Sequence, residues 1–121
     1  MKKKMRIYVA TPVNGRREAT LELKRKEANV RCTYLKIMLR ERFPDAEVVC
    51  SFDVCPIIGE PIEEHTAMGR CVDLLMTCDS IYMDVGWQSS KGCNVEYTTA
   101  KVYGLKIMMG VCDCSNNIAK F

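Results

Sequence analysis

Long apolar runs are missing from this 121-residue chain, and nothing approaches the ~20 consecutive apolar residues of a membrane-spanning helix. The apolar stretch after the basic start, Ile7-Tyr8-Val9-Ala10, is followed by Thr11 and Pro12. It is shorter than the ~7–15-residue core of a signal peptide, so a cytoplasmic domain with no membrane partner is expected. Histidine is scarce, with His65 alone. There are eight cysteines but no C-x-x-C, so paired zinc spacing is absent. The dinucleotide pattern G-x-G-x-x-G and the G-K-[ST] end of a Walker loop are absent too. No metal or other cofactor is therefore expected. Charge is nearly balanced: 18 basic against 15 acidic residues leave +3. That suits a small anionic molecule and is too weak to argue for a DNA or RNA polymer. Seven Gly and four Pro, without a repeat or a linker, exclude collagen-like and low-complexity chains.

What remains is an ordinary globular composition, 48% hydrophobic and 27% charged. A chain of this length buries one core, so residues 1–121 read as a single domain. Several cysteines lie inside apolar runs, as in Val48-Val49-Cys50, where a free thiol behaves as a small hydrophobe. Reduced, structural thiols are expected, with Cys112 and Cys114 as the exception.

The hydrophobic period alternates between strand and helix. Met5 to Thr11 read as a buried strand stopped by Pro12, and Asn14-Gly15 as turn chemistry. From about Arg17 to Phe43 the pattern is helical, with Ala28, Cys32, Leu35 and Leu39 on one face. Ala46 to Cys50 form a second strand, and Ser51 to Pro61 a loop. Ile62 to Thr77 form a helix with Met68, Val72 and Leu75 inward. A third strand covers Ser80 to Val85. A helix follows Gly92 and runs to about Tyr103, with Val95, Thr99 and Val102 inward and Gly104 as its C-terminal cap. Lys106 to Met109 form a fourth strand. Such alternation implies βαβ units, a mostly parallel sheet and an α/β fold. Ligands of such sheets bind beyond the carboxyl ends of the strands, which selects the loops Thr11–Arg17 and Asp84–Gly92.

The second loop, Gly86-Trp87-Gln88-Ser89-Ser90-Lys91-Gly92, runs from a strand end to a helix start. Free backbone N–H groups there attract anions, and Ser89, Ser90 and Lys91 add donors. The bland alternative is an N-capped helix with a solvated lysine. Glu96 lies one turn into that helix and reads either as a carboxylate facing the cleft or as a surface residue. Trp87 either stacks a nucleobase or covers the sheet. Tyr8, near the end of the first strand, points its hydroxyl into the cleft or packs in the core. Arg16 and Arg17 follow Gly15 at a candidate helix start and could clamp a phosphate. Asp73, Asp79 and Asp84 bracket the third strand, with Asp84 best placed at its end.

Taken together, Ile7-Tyr8-Val9-Ala10-Thr11-Pro12, Cys78-Asp79-Ser80-Ile81-Tyr82 and Gly86-Trp87-x-x-Ser90-x-Gly92-x-x-x-Glu96 resemble the nucleoside 2-deoxyribosyltransferase superfamily. The S-x-G-x-x-x-E spacing is similar to that of the 2′-deoxynucleoside 5′-monophosphate N-hydrolases. The resemblance implies a flavodoxin-like three-layer sandwich with four or five strands in the order 2-1-3-4(-5). It also implies chemistry at a deoxyribose C1′ of a small nucleoside or nucleotide. Glu96 would be the nucleophile and Tyr8 the residue that orients it. Ser90 would contact a 5′-phosphate, with Ser89, Lys91, Gly92, Trp87, Asn14, Gly15 and Arg17 completing substrate binding. The family's general acid, counted back from Cys78-Asp79, falls on Cys71. Asp73 is two residues on, ~200° around a helix. Asp84 and Asp73 are therefore the candidates for the missing acid, Asp84 ahead. A homodimer or larger homo-oligomer is implied as well. Intact Tyr8, Ser90 and Glu96 favour glycosidic-bond transfer or hydrolysis. The cysteine in the acid's place favours the alternative, a nucleotide-binding domain without turnover.

Overall fold

In the computed structural model, which describes residues 4–13, 20–56, 62–112 and 119–120, the first strand is shielded on both faces. Ile7, Tyr8, Val9 and Ala10 of β1 (Arg6–Ala10) are each at most 1% exposed. A near-continuous apolar run of this kind is what a central parallel strand requires. β2 (Glu47–Cys50) pairs with one edge of β1, with Tyr8 opposite Val49. β3 (Ser80–Met83) pairs with the other, with Tyr8 opposite Ile81. β4 (Lys106–Met109) lies outside β3. All three pairings are parallel and the order is β2-β1-β3-β4, the flavodoxin-like α/β arrangement expected from the sequence. Among the described residues the main sheet has four strands. β5 (Val111–Cys112) pairs antiparallel with β6 (Ala119–Lys120) in a separate ladder.

Side chains alternate across the sheet, and that alternation sorts the core. Ile7, Val9, Val48, Cys50 and Tyr82 face α1 (Leu21–Arg42), which buries Cys32, Leu35 and Leu39 against them. Tyr8, Ala10, Val49, Ile81 and Met83 face the opposite way, onto α2 (Glu64–Leu75) and α3 (Lys91–Val102).

The expected α1 stripe is the observed one: Ala28, Cys32, Leu35 and Leu39 are its buried residues. Thr20 caps its start, its hydroxyl oxygen accepting from the Leu23 N–H at 3.2 Å. The helix ends before Pro44, as Pro demands of what precedes it. The other two stripes need correction. In α2 the buried residues are Cys71 and Leu75, while Met68 and Val72 are only partly covered. In α3 they are Cys93, Glu96 and Ala100. Val95 is 43% exposed and Val102 72%. Hydropathy alone draws the inward face onto the valines. The helix instead turns its small side chains and its one carboxylate toward the sheet, because a buried Glu is tolerable where it has a hydrogen-bond donor. β3 also ends two residues earlier than expected, at Met83, where the chain turns through Gly86 in the left-handed region (φ 88°).

Candidate functional site

Tyr8 and Glu96 meet. Tyr8 projects from the middle of β1 toward α3 and is fully buried; Glu96, in the second turn of α3, is 5% exposed. The Tyr8 hydroxyl donates to Oε2 of Glu96. Burial pushes the Glu96 carboxyl up to about 7, against the opposing pull of the Tyr8 hydrogen bond. Burial, and then the Glu96 charge, raise the Tyr8 phenol well above its ordinary range, so Tyr8 stays a neutral donor. The result is a carboxylate whose rotamer is held and whose ionisation changes near neutrality.

Two thiols lie close to the pair. Cys71 on α2 lies against Tyr8, and burial followed by the Glu96 charge pushes its thiol up to about 12. Cys93, one turn before Glu96 on α3, is raised to about 12, mainly by burial. The position expected to carry an acid thus faces the pair with a sulfur. Asp73 does not replace it: it is exposed on α2, turned away from the face that buries Cys71 and Leu75. Two residues of helix, ~200°, are the physical reason.

Asp84 is buried at 3% exposure just past the end of β3, and its partner comes from α1. Both of its oxygens are taken by Arg31 of α1, from Nε at 3.0 Å and from Nη2 at 2.9 Å, and Oδ1 also accepts from the Val85 N–H at 2.8 Å. Arg31 lies over the Tyr34 ring, 5.3 Å from its centroid, and its guanidinium is raised by the hydrogen bonds to Asp84. The structure brings Asp84 to Arg31 and leaves Glu96 with Tyr8.

At the start of α3 the Ser90 hydroxyl oxygen caps the helix, accepting from the Cys93 N–H at 3.2 Å. The Ser89 hydroxyl donates to the Gly86 carbonyl at 2.9 Å. Asn94 clasps the loop from within the helix, its amide donating to the carbonyls of Ser90 at 2.7 Å and Gln88 at 3.0 Å. Lys91 is exposed and Gly92 partly so. Trp87 is half-buried and tilts against Tyr97, ring centroids 4.6 Å apart, so one of its faces is already occupied. Asn14, Gly15 and Arg17 lie outside the described residues, as does Arg16.

A family model matches residues 5–109, from the start of β1 to the end of β4. The chain belongs to the DUF4406 family, a domain of unknown function. No curated protein matches it. The matched span of this DUF4406 domain contains Tyr8, Glu96 and the whole loop between β3 and α3.

Two residues that shape the site were not expected from the sequence. Arg31 looks like any arginine of a long helix until β3 places a buried carboxylate beside it. It lies one residue before Cys32 of the buried stripe, at the margin where a long side chain can reach inward. Asn94 carries a weak signal, since an amide four residues after a helix-capping serine can reach back to the loop carbonyls. Among the described residues no group of three His, Cys, Asp or Glu side chains is arranged to hold a metal ion. No helix of the described residues is long and apolar enough to cross a membrane.

Proposed function

We propose that this DUF4406 domain breaks the N-glycosidic bond of a deoxynucleoside or its 5′-monophosphate, with Glu96 as nucleophile. The observation that carries the reading is the buried Glu96 carboxylate held by the Tyr8 hydroxyl. A glycosidic nucleophile needs an ionised oxygen, a fixed rotamer and exclusion of bulk water, and Glu96 has a candidate source for each. In the reaction an oxygen of Glu96 forms a bond to C1′ as the bond from C1′ to the base nitrogen breaks. The base leaves with that electron pair and takes up a proton. Water, or a second base, then attacks C1′ and frees the carboxylate. Transfer and hydrolysis differ only in that last acceptor.

The sequence resemblance to nucleoside 2-deoxyribosyltransferases supports the same substrate class. A 5′-phosphate would sit at the start of α3, where the first turn of the helix, the Ser90 hydroxyl and Lys91 would meet it, with Ser89 turning from the Gly86 carbonyl and Gly92 leaving the approach open. Asn14, Gly15 and Arg17 would close the opposite side, and Trp87 would cover the base. The proposal uses no cofactor and places the chain in the cytoplasm with a small-molecule partner.

A second reading rests on Cys71. With a thiol rather than a carboxyl beside Tyr8, and with Asp84 held by Arg31, the pocket would bind a nucleotide and not turn it over. One experiment separates the two. The full chain is incubated with a panel of deoxynucleosides and their monophosphates, and free base is followed by chromatography. The enzyme reading expects release of base that Glu96→Ala abolishes. Monophosphate binding without release supports the second reading, and release that survives Glu96→Ala removes Glu96 from the role. Ser90→Ala should weaken monophosphate binding while leaving nucleoside binding unchanged.

A further inference from the structure

Beside the Tyr8–Glu96 pair lies a second feature that the proposed chemistry does not use. The segment after the turn Ser51–Asp53 is tied to α2 at two points. The Arg70 guanidinium donates to the Val54 carbonyl at 3.3 Å. The Cys55 thiol donates to the Ala67 carbonyl at 3.7 Å. Ala67 is four residues before Cys71 in α2, and helical side chains lean back over the preceding turn. A sulfur resting on the Ala67 carbonyl therefore lies over the same turn of α2 that the Cys71 side chain leans on. Both belong to the cluster that packs around Tyr8.

We infer that Cys55 and Cys71 are a reversible oxidation site, closing to a disulfide in the presence of a small peroxide. This concerns sulfur alone and holds whether or not Glu96 performs catalysis. The Cys55 thiol releases its proton and its sulfur attacks one peroxide oxygen. The O–O bond breaks, the departing hydroxide is protonated to water, and Cys55 becomes a sulfenic acid. The Cys71 sulfur then attacks the Cys55 sulfur. The S–O bond breaks, and the departing hydroxide takes the Cys71 proton as a second water. Two thiols are oxidised and one peroxide is reduced.

A second thiol pair sits on the other side of the sheet, Cys32 of α1 beside Cys50 of β2. It is the more deeply enclosed, at 1% and 2% exposure, against 5% for Cys55 and 7% for Cys71. The α2 pair is thus the less enclosed of the two. The bridge would pin the segment at 54–55 to α2 and remove the thiol that touches Tyr8.

The test uses the full reduced chain, titrated with hydrogen peroxide near stoichiometry. It is quenched with an alkylating reagent, unfolded, digested and mapped by mass spectrometry. The expected result is a peptide linking Cys55 to Cys71 that disappears after dithiothreitol. In Cys71→Ser, a dimedone adduct should accumulate at Cys55 in place of the link. The wild-type map stands even where that variant fails to fold. Full alkylation of both thiols after peroxide, or a link joining Cys32 to Cys50 ahead of this pair, overturns the inference.

Discussion

Glu96 binds its proton more tightly in the folded chain than in the unfolded one, because burial penalises the anion more than the Tyr8 hydroxyl favours it. The folded carboxyl titrates near 7 against a reference of 4.5, so the folded state holds the extra proton between those values. Stability must therefore fall as pH rises through that window, by at most ~3 kcal/mol at ~1.4 kcal/mol per pH unit. Glu96→Gln removes the titration. Its melting temperature should exceed that of the wild type at pH 8 and converge with it near pH 4.5, as read by circular dichroism melts. A variant that is equally destabilised at both pH values would show that the carboxylate is not the penalised group. Tyr8→Phe acts on the same site with the opposite sign. It deletes the one contact that draws the Glu96 carboxyl down, so the titration should move above 7. Base release, where present, should gain its acid limb at correspondingly higher pH and drop by ~10²–10⁴-fold, on the scale of a lost proton-handling group. An unchanged pH profile in Tyr8→Phe would mean that the hydroxyl does not tune the carboxylate.

Among the helices, what the sequence disclosed depended on how apolar the buried face is. α1 was legible because Ala28, Cys32, Leu35 and Leu39 repeat at helical spacing without a charged residue among them. α3 was not, because its inward face carries Cys93, Glu96 and Ala100 while two valines point outward. A hydrogen-bonded carboxylate on the buried side is what defeats a hydropathy rule. The tie between α1 and β3 was equally hidden, since only the folded chain shows Asp84 buried against Arg31. Asp84 is 4% exposed at the side chain and Arg31 30%, so the pair is shielded on the carboxylate's side and partly wet on the other. Arg31→Met keeps the apolar stem and deletes the guanidinium, leaving a buried carboxylate unpaired. The expected loss is ~3 kcal/mol, the lower end for breaking a buried pair because Arg31 is partly solvated. Urea unfolding at pH 7 measures it. Adding Asp84→Asn to Arg31→Met should recover part of the loss, and a single variant within ~0.5 kcal/mol of wild type would reduce the pair to a surface contact.

The alternation of strand and helix was enough to place every strand of the main sheet, and the observed order β2-β1-β3-β4 is the one the family resemblance implied. It could not show to which face Asp84 turns, because that depends on where β3 ends and how the chain leaves it. It also left open what covers the outside of the molecule. Val95 and Val102 are seven residues apart and so share one outer face of α3, at 43% and 72% exposure, with Tyr103 beside them at 64%. Val111, just past β4, is 54% exposed. Among the described residues β4 is hydrogen-bonded in the main sheet only to β3, so its other edge is open there. An unpaired edge next to an apolar helix face favours association. A small domain gains most from a second copy of itself, since a two-fold axis lets one patch cover its equal. We therefore expect a homodimer through this side. Light scattering at tens of micromolar should give twice the mass of the chain. Val102→Asp, exposed in the monomer, should shift that mass toward the monomer without altering the far-ultraviolet circular dichroism, because no core contact is lost. A wild-type chain that scatters as a monomer at that concentration defeats the expectation. A dimer indifferent to Val102→Asp moves the interface to another face, with the apolar side of α1 at Val30 and Ile37, 69% and 51% exposed, as the next surface to vary.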